Sequence, residues 1–101
     1  MQNLTGSWSC SDGLTYEFTQ VGTTLYTAGN NNSAGGSKNV GLGVIDERSQ
    51  LVTLQWADTP NSNGFGNKGV ILMDGSTAGK LKKLGGSQEF GIGDFTLIKA
   101  G

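Results

Sequence analysis

Gly6-Ser7-Trp8-Ser9-Cys10, followed by Leu14-Thr15-Tyr16-Glu17-Phe18-Thr19, is the stretch whose reading decides the fold. Leu4, Gly6, Trp8 and Cys10 alternate with Thr5, Ser7 and Ser9. After Ser11-Asp12-Gly13, Leu14, Tyr16 and Phe18 alternate with Thr15, Glu17 and Thr19. A period of two places successive side chains on opposite faces of a β-strand. Working outward, Gly22-Thr23 turns the chain into a third strand over 24–28, and further strands read at 39–45, 51–57, 68–73, 80–84 and 94–100. No segment keeps the 3.6-residue spacing of an amphipathic helix over three turns. Pro60, the sole proline, falls in a loop where it disturbs no ladder.

Eight short strands with local connections predict an all-β chain, a small eight-stranded up-and-down antiparallel β-barrel, because closure removes exposed sheet edges. A β-sandwich is the alternative architecture. Hydropathy assigns the interior to Leu4, Trp8, Tyr16, Phe18, Leu25, Val40, Leu42, Val44, Val52, Leu54, Trp56, Val70, Leu72, Phe95 and Leu97. On that phase Gly41 and Gly43 point outward. So do Tyr26, Ile45, Ile71, Met73 and Ile98, an apolar set that suggests a subunit interface and a homo-oligomer.

The chain of 101 residues, 35% hydrophobic with 18 Gly, makes one domain, 1–101. The glycines cluster at expected turns and lack a three-residue period. A net charge of −1 gives no electrostatic footprint for nucleic acid or an anionic membrane. Cys10 is the only cysteine, so the fold stands on packing without an intramolecular disulfide. No apolar run approaches the roughly 18 residues of a membrane helix, and no signal peptide is read unless one was removed. The sequons Asn3-Leu4-Thr5 and Asn31-Asn32-Ser33 read as chance matches. Localisation stays open.

The absence of His removes Ser-His and Cys-His nucleophile pairs and zinc sites of Cys/His type. Asp12, Asp58 and Glu89 remain for acid/base work, but Asp in a Gly-containing turn reads first as turn chemistry. Gly64-Phe65-Gly66-Asn67-Lys68-Gly69 satisfies G-x-G-x-x-G as text, yet a strand follows where a helix N-terminus is needed. Gly75-Ser76-Thr77-Ala78-Gly79-Lys80 is one residue short of a phosphate loop and reads as a hairpin turn. Lys80, Lys82 and Lys83 read as a solvated strand face.

Odd-numbered connections of an up-and-down barrel share one end. The third and fifth are long and polar and the seventh is also long, whereas the even ones are shorter. A localised function belongs at the elaborated end. The expected ligand-binding residues there are Tyr16, Trp56, Asp58, Asp12, Asn31 and Asn61, two aromatic faces among hydrogen-bonding groups. No catalytic residue, metal ligand or cofactor is expected.

The Gly6-x-Trp8 strand start resembles the calycin superfamily of lipocalins, fatty-acid-binding proteins and avidins. That resemblance implies a Trp8 that closes the barrel floor, with Gly6 beside it and Lys99 of the last strand lying across it. Thr5-Gly6-Ser7-Trp8 also resembles the first strand of avidin-type proteins. Cys10 stands where those proteins carry the Asn that binds biotin, so the resemblance does not extend to biotin. Gly6, Trp8, Cys10, Asp12, Gly13 and Tyr16, then Gln20-Val21-Gly22, then Trp56, Asp58 and Pro60, are similar to small bacterial Gly-x-Trp barrel domains of unassigned function. Bacterial metalloprotease inhibitors are Gly-x-Trp barrels too, but they insert an N-terminal trunk into the protease, whereas this chain enters strand one almost immediately. The functional expectation is a non-catalytic binding module for a small amphipathic or sugar-like ligand. Protein-partner binding of a protease-inhibitor-like kind is the alternative, and a carboxylate-using enzyme ranks third.

Overall fold

A computed structural model describes residues 1–30, 38–59, 64–86 and 93–100, without the side chains of Asn30, Lys99 and Ala100. The expected architecture is found. Eight antiparallel strands run β1 (Gly6–Cys10), β2 (Thr15–Val21), β3 (Thr24–Asn30), β4 (Lys38–Asp46), β5 (Leu51–Asp58), β6 (Lys68–Asp74), β7 (Lys80–Gly86) and β8 (Phe95–Ala100). Each pairs with the next, and β1 pairs with β8 to close the barrel. No helix occurs among the described residues, so none is long and apolar enough to cross a membrane. The strand limits lie within two residues of those read from the pattern at nearly every end.

Local chemistry fixes the turns. The two-residue loop between β2 and β3 has Gly22 at φ 61° with Thr23 following at negative φ, the type II′ geometry that matches strand twist. Between β4 and β5, Asp46 Oδ1 accepts the Arg48 amide at 3.0 Å, and Gln50 occupies the left-handed region at φ 62°. The N-terminal segment seals this end of the barrel. Gln2 donates to the carbonyls of Gly75 and Thr77 and accepts the Gly79 amide, while Leu4 is wholly buried.

The interior is filled by side chains, as eight strands allow. Trp8 stacks on Phe18 with centroids 5.4 Å apart and donates its indole N–H to the Leu4 carbonyl at 2.9 Å. Phe95 meets Phe18 at 5.2 Å and Tyr16 edge-on at 5.0 Å. Leu25, Val52, Leu54, Ile71, Met73 and Leu81 belong to the same core, with Cys10, Ile45 and Trp56. Lys99 pairs with Ser7 through the backbone; its side chain, and with it the expected cover over Trp8, lies outside the described residues.

Two strands carry the opposite phase from the one hydropathy assigns. In β4, Asn39, Gly41, Gly43 and Ile45 face inward, and Val40, Leu42 and Val44 are 44%, 48% and 65% exposed. The cause is volume. A Cβ on Gly41 would collide with Thr27 Oγ1 and come within 2.9 Å of Leu54 Cδ1, and one on Gly43 would meet Leu25 Cβ at 3.1 Å. Large side chains from β3 and β5 leave room only for backbone at Gly41 and Gly43, while Asn39 and Ile45 at the two ends of β4 bring side chains inside. In β6, Ile71 and Met73 are buried, while Val70 is exposed and Leu72 only partly covered. Here all four residues are apolar, so alternation holds no phase information. Ile45, Ile71 and Met73 therefore leave the expected outward apolar set, of which Tyr26 and Ile98 remain exposed.

Candidate functional site

Strand register assembles a polar site at the end that carries the odd-numbered connections. One transverse row of inward positions runs Trp8, Tyr16, Gly29, Asn39 and Asp58, each the register partner of the next. The row below runs Phe18, Thr27, Gly41, Trp56 and Gly69. Around β1 and β2 these rows are aromatic. Across β3 to β5 they become small and polar.

Tyr16 dominates the aromatic side. Its ring lies so close over Gly29 that a Cβ there would come within 2.6 Å of Cε2, which makes Gly29 a seat for the ring. Its hydroxyl donates to Asp12 Oδ2 at 2.7 Å, and Asp12 Oδ1 accepts the Leu14 amide at 2.8 Å, an Asx turn closing β1 onto β2. Burial drives the Tyr16 pKa far above the ordinary phenol range, and the Asp12 carboxylate drives it further, so the phenol stays protonated as a donor. Burial likewise pushes the neighbouring Cys10 thiol up to about 11. A protonated, buried thiol is a poor nucleophile.

Asn39 and Asp58 form the polar side. Asn39 is 1% exposed and donates from Nδ2 to Asp58 Oδ1 at 2.9 Å. The backbone of Asp58 is held in turn by the Asn67 carbonyl at 2.7 Å and the Gly66 amide at 2.8 Å. Two oxygens in this region, Asn39 Oδ1 and Thr27 Oγ1, are buried with no hydrogen-bond partner among the described residues. Such atoms cost about 1–3 kcal/mol each when left unsatisfied.

Of the sequence-expected ligand residues, the structure brings Asp12, Tyr16, Trp56 and Asp58 to this end. Asn31 and Asn61 lie outside the described residues, as does Glu89. Tyr16 and Trp56 are core side chains, at most 3% exposed, so the half-buried Asp12 and Asp58 are what reach solvent. Thr27 and Asn39 are site residues to which the sequence gives no role. The only signal is that Asn39 shares its phase with Gly41 and Gly43. No group of three or more potential metal ligands occurs among the described residues.

A second feature lies outside the barrel. Phe65, in the fifth connection, lies against the outer face of β4 to β6 and bounds a shallow apolar groove of about 560 Å³ with Val40, Leu42, Ala57 and Val70.

Compared with family models, curated proteins and solved structures, the chain matches none, so its class rests on the closed eight-stranded barrel itself.

Proposed function

We propose that this chain is a non-catalytic binding barrel of calycin type, taking a small hydroxyl-rich, sugar-like ligand at the end formed by Asp12, Tyr16, Asn39 and Asp58. The observation that carries the reading is the pair of buried oxygens without a partner among the described residues, Asn39 Oδ1 and Thr27 Oγ1, beside the Asp58 carboxylate. A polar atom kept in a core against its desolvation cost is explained by a group that satisfies it. Asn39 Oδ1 and the carboxylates only accept hydrogen bonds, so the fitting ligand brings several donors, as a polyol does. Trp56 supplies the apolar wall in the row below. The packed interior leaves no length for an acyl chain, so the ligand is small.

A thermal-shift screen of monosaccharides, short glycans and small polyols tests this. A ligand that raises the midpoint of the wild type and fails with Asp58→Ala and with Trp56→Ala supports it. A ligand that binds both variants as well as wild type sits elsewhere. An empty screen moves the weight to a protein partner.

A further inference from the structure

The outer face of β3 to β6 is apolar in the middle and oppositely charged at its two ends. Outward positions run Lys38, Val40, Leu42, Val44 and Asp46 along β4, and Lys68, Val70, Leu72 and Asp74 along β6. Between and beside them, β5 presents Thr53, Gln55 and Ala57, and β3 presents Thr24, Tyr26 and Ala28. Among the described side chains this middle band carries no charge. Both lysines stand at the end of the odd-numbered connections and both aspartates at the other. Glu47 adds to the acidic end, Arg48 offsets it, and Lys82 lies beyond this face on β7.

We infer that this face binds a second copy of the same chain, with the two-fold axis lying between the faces and perpendicular to the strands. That rotation runs the two sheets antiparallel. It lays β4 on β4 and β6 on β6, so Lys38 and Lys68 of each copy meet Asp46 and Asp74 of the other. An isologous interface needs such self-complementarity, because every contact is made twice. The rotation also brings Val44, the most exposed apolar side chain of its strand, over the second copy's groove beside Phe65 and Val40.

Area agrees with this occupant. Tyr26, Val40, Leu42, Val44, Phe65 and Val70 are between 36% and 66% exposed. Together they present on the order of 600 Å² of apolar surface, at the upper limit for a lone monomer and close to the apolar share of the ~800 Å² per partner of a stable interface. The apolar band supplies the affinity. The charged ends, worth little each in water, set the antiparallel orientation.

Analytical ultracentrifugation over a dilution series tests the inference. Wild type is expected to dimerise in the micromolar range, and Leu42→Glu to stay monomeric while keeping its far-UV spectrum. The double variant Lys38→Glu/Lys68→Glu should dimerise roughly tenfold or more weakly at low salt and recover at high salt. Mixed with Asp46→Lys/Asp74→Lys, it should form a heterodimer tighter than either homodimer. Asp46 and Asp74 also hold their turns, accepting the Arg48 and Ser76 amides, so if that acidic-end variant fails to fold, the salt recovery of the lysine variant decides. The inference is overturned by a wild type that stays monomeric at high micromolar concentration, or by Leu42→Glu dimerising as well as wild type. It is equally overturned by a charge deficit that persists in high salt, or by folded charge variants that associate no better mixed than alone.

Discussion

The Tyr16 hydroxyl donates to Asp12 four residues earlier, at 2.7 Å, across the turn that joins β1 to β2. The bond anchors the half-buried head of that turn to a ring lying wholly inside the barrel, so turn and core stand or fall together. Asp12→Ala should cost about 2–3 kcal/mol, since it opens the Asx turn and leaves a buried hydroxyl unpaired. Tyr16→Phe should cost less, about 1 kcal/mol, because Asp12 keeps the Leu14 amide and some access to water. Urea denaturation of both variants checks the order; a Tyr16→Phe variant as stable as wild type would show that the hydroxyl contributes nothing.

Alkaline pH should destabilise this barrel in two overlapping steps. Burial raises Cys10 from 9.0 to about 11, so the unfolded chain loses this proton before the folded one does. The stabilisation is complete below pH 9 and is lost as pH rises towards 11. Tyr16 acts in the same sense from its ordinary value of 10.0 upward. The denaturation midpoint should therefore fall above pH 9. Cys10→Ala should flatten the first part of that fall and Tyr16→Phe the later part. The same burial predicts that Cys10 reacts with thiol reagents only in denaturant.

The phase of β4 can be tested by two substitutions of opposite expectation. Gly41→Ala places a methyl against Thr27 and Leu54 and should cost about 1–3 kcal/mol. Val40→Ser, on the exposed side, should change stability by no more than about 0.5 kcal/mol. A large loss for Val40→Ser together with a neutral Gly41→Ala would return the strand to the hydropathic phase.

Thr27→Val should separate stability from binding. The buried hydroxyl has no partner among the described residues, and valine has nearly its shape, so the variant should gain about 1 kcal/mol in thermal denaturation. It should also weaken any polyol found to bind the wild type. A variant that is less stable would show that the hydroxyl is satisfied within the fold.

Gln50 is the one described non-glycine residue at positive φ. Gln50→Gly should relieve the left-handed penalty and raise stability by about 0.5–1 kcal/mol, a gain readable as a higher denaturation midpoint. A lower midpoint would mean that side-chain contacts at Gln50 outweigh the backbone strain.

How much of this was legible in the chain differs by element. Strand number, order and limits follow from local pattern: alternation in β1 and β2, the Gly22-Thr23 hairpin, and spacing between Gly-rich breaks. Closure then follows from eight short local strands. Trp8, Tyr16, Phe18, Leu54 and Phe95 enter the core as hydropathy assigns them, because each alternates with polar neighbours. Asp12 and Asp58 could be placed at the elaborated end by connection parity alone.

The phase of β4 and β6, and with it both the polar site and the outer apolar face, was decided by tertiary structure. Hydropathy states which residues prefer to leave water, but not how much room the barrel has left. Once Tyr16 covers Gly29, and Thr27 and Leu54 close over Gly41, the interior admits only backbone along the middle of β4. Val40, Leu42 and Val44 are then forced outside, and Asn39 is carried in on the phase of the glycines. In β6 two equally apolar faces compete, and register with Val52 and Leu54 selects Ile71 and Met73. A sequence encodes the preference of each residue separately; the volume they share exists only after neighbouring strands have met.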